Sequence, residues 1–566
     1  MRYPLLKATI LINVLLFSPL HAQQAQNRPQ TAGRTPPPKP TPPPVPNPPN
    51  RPNPPQPGTN TPQNPPSTDS DAQLQAVITQ QNIIAIDNQN LNLPDINTPK
   101  AQLGKQLFFA KNLGGEQSVA CVSCHHPALG GGDNLSLPIG VKAVDRENNV
   151  SHDLLGLGRF NGNSIDNNID SSQQTLPSVG RNAPTVFNIA LLNRSLFWDS
   201  RVERTPNGQI VTPDSELDQN GRRRPDANLA PDTTLAAAQA RFPVTVPNEM
   251  RGDFLTSTEN QALRASLAER FNNQDNTWLA AFNQVFSDVA VSFDHIADAI
   301  GEYERSMLFA NSPWNNYLKG DLNTLTDQQK AGAVLFFTPR QQGGANCVAC
   351  HNGPTFSDQR AHLVAFPQFG NGAGNESNTP TSQDFGRENV SADAADRYHF
   401  RTPSLLNVAE TAPYGHSGVF QTLEEVVGHY VNPRRSIDRL FAARGNVPFA
   451  NGLAPICRLP QLVSLQEKNN SLCENIFTDA YQNSIDVVNH LDNARAGQVA
   501  ARAPLIANIR LSPQQVGQIA DFLRALTDPC VTDRDCLAPW IIDGDDVASF
   551  PDNLPLVAHD KEGNEL

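Results

Sequence analysis

A chain of 566 residues in which 38% are hydrophobic is long enough for two or more domains with buried cores. Its formal net charge of −13 and its lack of a basic stripe argue against a nucleic-acid-binding protein. Beyond the N-terminal region no segment approaches about 18 consecutive apolar residues, so the sequence predicts no transmembrane helix in the mature chain.

The N-terminus has the pattern of a secretory signal peptide. A basic start is followed by the apolar run from Ala8 to Leu20 and by small residues that suit cleavage after Ala22. We therefore expect residues 1–22 to be removed and the mature protein to be periplasmic or otherwise exported. Residues 23–70 are rich in proline and cannot bury a core, which predicts a disordered linker of extended polyproline II type.

Two short motifs carry the clearest chemistry in the chain. Each is a C-x-x-C-H sequence, the attachment signature of c-type haem, and the six residues are Cys121, Cys124, His125, Cys347, Cys350 and His351. Two thiols bond to the vinyl groups of one porphyrin and the histidine ligates its iron. Cysteine is scarce, with eight in the chain, so two chance matches are untenable. The sequence predicts two covalently bound haem c groups.

The other four cysteines form two local pairs, Cys457 with Cys473 and Cys530 with Cys536. Each pair would close a short loop, and an exported protein folds in an oxidising compartment. Both pairs are therefore predicted to be disulfides rather than metal ligands.

The segments around the first haem motif resemble the bacterial di-haem cytochrome c peroxidases and their MauG-type relatives. The resemblance covers most of residues 95–430 and the final helix. Its motifs around the first haem are L-G-K-Q-L-F-F at 103–109, G-G-G-D at 130–133, R-N-A-P-T-V-F-N at 181–188, L-F-W-D-S-R at 196–201 and P-N-E-M at 247–250.

This resemblance implies a mainly α fold in which two cytochrome c-like haem domains pack together and carry long loops. We expect an N-terminal, peroxidatic haem domain over residues 71–320 and a C-terminal, electron-transfer haem domain over residues 321–540. Residues 541–566 contain seven acidic residues and one lysine, and we expect them to form a solvated acidic tail.

The sequence also predicts helices and insertions within these two domains. We expect helices over 73–86, 296–307 and 331–337, the last of them preceded by a capping-box pattern that begins at Thr326. We also expect a final helix that Ser512 caps, with Pro513 in its first turn. Extra sequence at about 142–181, 202–238 and 440–505 interrupts the family pattern, and we expect it to form surface loops.

The ligand of the first iron on the side opposite His125 determines whether peroxide can bind to that iron directly. In family members that need reductive activation, a histidine sixteen residues after the haem histidine caps the iron, and here that position is Val141. Valine cannot ligate, so the resemblance to MauG-like members implies an open, five-coordinate haem. His152 in the following insertion remains an alternative ligand.

The resemblance also supplies the catalytic groups. The family's distal glutamine and glutamate are ten residues apart, and Gln239 and Glu249 reproduce that spacing. Glu249 would shuttle a proton during cleavage of peroxide, and Gln239 would orient the peroxide or its water. Trp198 matches the family's inter-haem tryptophan and would relay electrons, although an isolated tryptophan is more often a core residue.

The second haem departs from the peroxidase pattern. The position of the family's methionine ligand, fourteen residues beyond His416, is Tyr430, which matches the tyrosine ligand of MauG-type proteins. A phenolate ligand stabilises ferric iron and lowers the reduction potential. His429 is the alternative ligand. The resemblance further implies a calcium ion between the domains, held by the Asn182 side chain and the carbonyls of Thr411 and Pro413.

The favoured function is a periplasmic di-haem peroxidase that reduces hydrogen peroxide at the first haem. Its electrons would come from a cytochrome c or a cupredoxin and pass through the second haem. One alternative is a MauG-like oxidase acting on a protein or organic substrate, and an oxygenase resembling the di-haem enzymes that cleave polyisoprene is a weaker one. A non-enzymatic di-haem electron carrier is the alternative from another class.

Overall fold

The computed structural model describes residues 68–87, 91–145, 147, 149–161, 179–272, 277–287, 290–370, 383–442, 454–463, 479–506 and 509–566. All of them belong to one compact unit, residues 64–566. The predicted signal peptide and residues 23–67 of the predicted linker lie outside the described residues.

Helices dominate this unit, as the sequence predicted. They are α1 (Thr68–Gln81), α2 (Pro99–Phe109), α3 (Leu235–Ala240), α4 (Asn260–Glu269), α5 (Trp278–Phe286), α6 (Phe293–Ser306), α7 (Pro313–Leu318), α8 (Asp327–Phe337), α9 (Glu388–Ser391), α10 (Leu423–Val431), α11 (Pro433–Leu440), α12 (Ala480–Arg495), α13 (Pro513–Arg524) and α14 (Arg534–Leu537).

The strands are short and lie in loops between the helices. They are β1 (Ala143–Val144), β2 (Phe160–Asn161), β3 (Ser195–Leu196), β4 (Val202–Arg204), β5 (Ile210–Val211), β6 (Ala361–Leu363) and β7 (His399–Arg401). All pairings are antiparallel: β1 with β2, β3 with β4 and then β5, and β6 with β7. None forms a core layer.

The first haem region is built on the crossing of α2 and α6. Thr98 caps α2 by accepting a hydrogen bond from the Ala101 amide. At the crossing, a Cβ on Gly104 would lie 1.9 Å from the Ala299 carbonyl oxygen. Only glycine therefore permits this approach of the two backbones. Phe108, near the C-terminal end of α2, is buried against Tyr303 of α6.

The second haem region repeats this arrangement with α8 and α13. A Cβ on Gly332 of α8 would lie 1.9 Å from the Gln518 carbonyl oxygen of α13. The predicted caps are confirmed, since Thr326 accepts from the Gln329 amide and Ser512 accepts from the Gln515 amide. Two helix pairs with the same glycine crossing thus carry the two haem motifs.

The acidic C-terminal segment is not the solvated tail that its composition suggested. Ile541, Ile542, Phe550 and Leu556 are buried in the core of the first haem region. The Leu556 amide donates to the Phe109 carbonyl at 2.9 Å. The acidic residues alternate with apolar ones, and burial of those apolar side chains outweighs the preference of the charges for water.

Other local expectations are met or shifted. The predicted opening helix begins at Thr68 rather than at residue 73, inside the range assigned to the linker. The insertion at 440–505 contains α12, which the sequence did not predict. Cys530 and Cys536 form a disulfide as expected. Cys457 is disulfide-bonded, whereas Cys473 lies outside the described residues.

Among the described residues no helix is long and apolar enough to cross a membrane.

Candidate functional site: two haem cavities joined by a tryptophan

The first C-x-x-C-H motif opens into a cavity in the first haem region. Cys121, Cys124 and His125 all line it, and neither cysteine is in a disulfide. His125 Nδ1 lies 3.3 Å from the Gly131 carbonyl oxygen in the turn that follows the motif. With Nδ1 held by a carbonyl, the Nε2 lone pair is left for a metal.

Gln239 and Glu249 line the same cavity, so the fold brings together two residues that were paired only by their spacing. Gln239 lies near the end of α3, which Thr234 caps, and Glu249 lies in the π-helical turn Pro247–Arg251. Burial raises the pKa of the Glu249 carboxyl, an effect that the nearby Arg201 guanidinium partly offsets. A carboxyl with a raised pKa beside a cavity is suited to proton transfer.

Neither Val141, which stands at the family's capping position, nor His152, the alternative ligand, is among the residues that line this cavity. Val141 is 6% exposed and packs in the core of the first region. His152 is also missing from the described lining of the cavity, and its carbonyl accepts a hydrogen bond from Arg159 at 3.0 Å. Within the described residues, nothing on this wall offers a second imidazole ligand.

The second motif opens into a cavity larger than the first. Cys347, Cys350 and His351 line it, again with both cysteines outside any disulfide. His351 Nδ1 lies 2.9 Å from the Phe356 carbonyl oxygen, which orients the ring as at the first motif.

Tyr430 lines this second cavity, whereas the adjacent His429 is absent from its described lining. The His429 ring is buried, and its Nε2 lies 3.1 Å from the Val364 carbonyl oxygen. Successive residues on α10 point in different directions. The geometry therefore offers the phenol of Tyr430 to the cavity and keeps His429 in the wall behind it.

Trp198 and Arg401 line both cavities and so form part of the wall between them. The Trp198 indole donates to the Asn182 carbonyl at 2.8 Å, and its own carbonyl accepts from the Arg401 amide at 2.6 Å. Arg401 is 5% exposed, and its Nε donates to the Phe197 carbonyl at 2.9 Å. The tryptophan is both packed and placed between the two sites.

A buried ion network fixes this wall. Arg181 donates to both carboxylate oxygens of Asp384 at 2.6 and 2.7 Å and to Asp199 at 2.7 Å. All three residues are at most 5% exposed. Removal of one partner would leave a buried charge unpaired, so the arrangement of the Trp198 segment is strongly specified.

Two of the three predicted calcium ligands meet beside the wall. The Asn182 side-chain amide lies 2.6 Å from the Pro413 carbonyl oxygen, and its backbone amide donates to the His416 carbonyl at 2.8 Å. Thr411 is two residues away in the chain, and its hydroxyl donates to the Val408 carbonyl.

The structure also adds cavity residues that the sequence did not indicate. Glu304 of α6 lines the first cavity, is 4% exposed and has one carboxyl oxygen without a hydrogen-bond partner. Burial alone raises its pKa to about 8. His362 lines the second cavity, and although burial disfavours its charged form, hydrogen bonds and charge from Asp358, at 2.8 Å, and from Cys350 raise its pKa to about 9. An isolated glutamate or histidine carries no spacing signal, so only the fold identifies these groups.

Both cavities fit a covalently attached porphyrin. Each is lined by two free thiols and by an imidazole oriented through Nδ1. Aliphatic and aromatic side chains form most of the remaining lining, as a porphyrin face requires.

Comparison with known proteins shows what this chain is similar to. The sequence profile of the family described as di-haem cytochrome c peroxidase matches residues 98–323. Cytochrome-c peroxidase IdrP2 of Denitromonas iodatirespirans is 27% identical over 350 residues, which cover 59% of this chain and 74% of that protein. Methylamine utilization protein MauG of Methylophilus methylotrophus is 26% identical over 333 residues, covering 58% and 72%. The solved structure of a MauG-like protein associated with microbial copper homeostasis is 20% identical, with a TM-score of 0.46, covering 81% of this chain and 97% of that one.

The molecule is a c-type haem protein of the peroxidase class, an oxidoreductase that acts on peroxide. Its residues 98–323 match the di-haem cytochrome c peroxidase family, and its relatives include both peroxidases and MauG proteins, a similarity that implies two c-type haem groups. The alternative of a non-enzymatic electron carrier is therefore wrong.

Proposed function

We propose that the protein is an exported di-haem peroxidase that reduces hydrogen peroxide in the first cavity and receives electrons through the second. The observation that carries this proposal is that Gln239 and Glu249 line the cavity of the first motif, while the second cavity is lined by Tyr430, a phenol that would ligate its iron. The proposed cleavage signal after Ala22 supports export.

A haem iron held by His125 would supply the electron-transfer chemistry of peroxide cleavage. Gln239 would hold the peroxide in place through its side-chain amide. The Glu249 carboxylate would take the proton from the near peroxide oxygen and deliver it to the departing oxygen, which leaves as water. The raised pKa of Glu249 favours this second transfer, because a weaker acid holds its proton until the departing oxygen develops charge.

The two motifs differ in exposure in a way that supports electron entry at the second. Ala349, inside the second motif, is exposed, and so is the preceding loop 340–343. In the first motif Val122 is fully buried, and α14 packs against the turn Pro127–Leu129 that follows it. A small cytochrome c or cupredoxin could approach the second haem closely. Trp198 in the shared wall would then relay electrons towards the first.

The second candidate is MauG-like oxidation of a protein or organic substrate, with the oxidising equivalents held on both haems. Tyr430 favours it, since an anionic oxygen ligand stabilises oxidised iron. The displacement of Val141 and His152 from the first cavity suits either candidate, because both need that iron open.

Steady-state turnover separates these candidates. The protein as isolated, without prior reduction, is mixed with hydrogen peroxide and a reduced cytochrome c or cupredoxin. Continuous oxidation of the donor supports the peroxidase. A long-lived oxidised protein that oxidises neither donor catalytically favours the MauG-like function.

We also propose a structural calcium ion beside the wall. The Asn182 amide already faces the Pro413 carbonyl, and rotation of that amide would present its oxygen to an ion shared with Pro413 and Thr411. Elemental analysis should find about one calcium per chain, lost in Asn182→Ala. No calcium in the purified wild-type protein would contradict the site.

A further inference from the structure

The turn that carries Glu249 has another segment of backbone pressed against it. A Cβ on Gly140 would lie 2.1 Å from the Asn248 carbonyl oxygen and 2.4 Å from that of Glu249. No side chain fits in this space, so glycine is required for the contact. The position of Gly140 therefore limits where the Pro247–Arg251 turn can lie.

A single arginine holds this segment in place. Arg159 is 2% exposed, and its Nε and Nη2 atoms donate to the carbonyls of Ile139 and Gly140 at 3.0 and 3.1 Å. Its Nη1 donates to the carbonyls of His152 and Leu154 at 3.0 and 2.9 Å. The guanidinium thus ties the Gly140 segment to the insertion at 142–181, in which Arg159 lies.

The opposite side of the turn is held in the same manner. Arg270 donates to the carbonyls of Gly114 and Gly115 at 2.7 and 2.8 Å. The Gly115 amide donates to the Met250 carbonyl at 2.8 Å, and a Cβ on Gly115 would lie 2.0 Å from the Arg251 carbonyl oxygen. The Glu249 turn is gripped between two glycines, each fixed by an arginine that binds carbonyl groups.

We infer that Arg159 is a positioning residue for the reaction in the first cavity. It acts through Gly140 on the Pro247–Arg251 turn and so fixes the direction of the Glu249 carboxyl. A planar guanidinium can bind several carbonyls at once in fixed directions, which a lysine ammonium on a flexible stem cannot do. The inference rests on the proposed role of Glu249, and it gives the 142–181 insertion a function.

The test uses Arg159→Lys in the full haem-loaded protein, with hydrogen–deuterium exchange over residues 247–252 as the first readout. The lysine keeps the buried positive charge but loses the fork, so we expect faster exchange in this peptide. Arg495→Lys is the matched control, because Arg495 also donates to a backbone carbonyl, that of Ile506, in the second region. It should leave exchange over 247–252 unchanged.

The second readout is a double-mutant cycle on the rate of reaction with hydrogen peroxide. Arg159→Lys should slow this reaction by about 10- to 100-fold, the range that a misplaced catalytic group costs. In a Glu249→Gln background it should have little further effect, because the two changes disable one carboxyl. Unchanged exchange, or an equal loss in both backgrounds, would overturn the inference.

Gly140→Ala is a second test of the same contact, for use if Arg159→Lys does not fold. It disturbs the same contact without touching a charge, and it should reproduce the faster exchange and the slower reaction. Gly517→Ala, where a Cβ meets nothing within 4 Å, is its control. If Glu249→Gln itself reacts at the wild-type rate, the proposed function fails, while the exchange experiment still decides whether Arg159 holds the turn.

Discussion

The two haem cavities share a construction and differ in their chemistry. Each lies beside a helix pair that crosses at a glycine, and in each the motif histidine is oriented by a carbonyl on Nδ1. The first contains Gln239, Glu249 and Glu304, and α14 packs against the turn that follows its motif. The second presents Tyr430, and its motif lies at the surface. In the proposed function, this one scaffold provides a protected reaction site and an accessible electron-transfer site through a few side chains on each cavity wall.

Replacement of Glu249 should remove most of the reactivity with peroxide that distinguishes the first cavity from the second. Glu249→Gln keeps the shape of the side chain and removes the proton acceptor, so the reaction with peroxide should slow by about 10²–10⁴-fold. Stopped-flow absorbance of the ferric protein measures this rate. Glu269→Gln, at an exposed position at the end of α4, should react normally, and a fast Glu249→Gln protein would remove Glu249 from the mechanism.

The same residue predicts the pH dependence. Peroxide cleavage needs the Glu249 carboxylate, and burial raises the pKa of this group above its ordinary value of 4.5. As the pH falls through that raised pKa, the carboxylate becomes protonated and the rate should decrease. This acidic limb should be missing in Glu249→Gln, and a wild-type rate that is flat through the acid range would contradict the assignment.

The second cavity differs from the first in the phenol of Tyr430, and removal of this hydroxyl should change the reduction potential of the second haem. Tyr430→Phe should raise the reduction potential of the second haem by about a few tenths of a volt, because an anionic ligand that favours ferric iron is lost. Spectroelectrochemistry measures the change. Tyr414 lines the same cavity, and Tyr414→Phe should shift the potential little. A larger shift in His429→Ala than in Tyr430→Phe would reassign the ligand.

The smallest effects are expected from the feature that both regions share, the helix pair that crosses at a glycine. Gly104→Ala and Gly332→Ala both force the helix pair apart, and each should lower the free energy of unfolding by about 1–3 kcal/mol. Urea unfolding of the haem-loaded protein measures this loss. Gly517→Ala, in a helix with open space around it, should be neutral or slightly stabilising. If only one of the two crossing glycines mattered, the two regions would not share one packing design.

Local patterns in the sequence predicted a large part of this arrangement. The haem motifs, the caps Thr326 and Ser512, and the pair Gln239 and Glu249 rest on fixed spacings, and the fold places them as expected. Contacts between distant segments leave no such spacing. Arg159, which reaches the carbonyls of its own insertion and of Gly140, could not be distinguished in the sequence from a surface arginine.

Composition was misleading where charge and burial alternate. The acidic residues after Ile541 suggested that this segment is solvated. Phe550 and Leu556, which lie among these acidic residues in the sequence, are nevertheless buried in the core of the first haem region. Whether such a segment is buried depends on whether its few apolar side chains can pack against another part of the protein. Here that part lies more than 400 positions earlier in the chain, at residues such as Phe109.

The central claim is that the first cavity leaves its iron open while Tyr430 occupies the corresponding position at the second. Electron paramagnetic resonance of the resting ferric protein tests it directly, before any reductant or peroxide is added. The account predicts one high-spin haem, which changes on addition of stoichiometric peroxide, and one low-spin haem. Two low-spin haems in the resting protein would contradict it, because a sixth ligand would then close the first cavity.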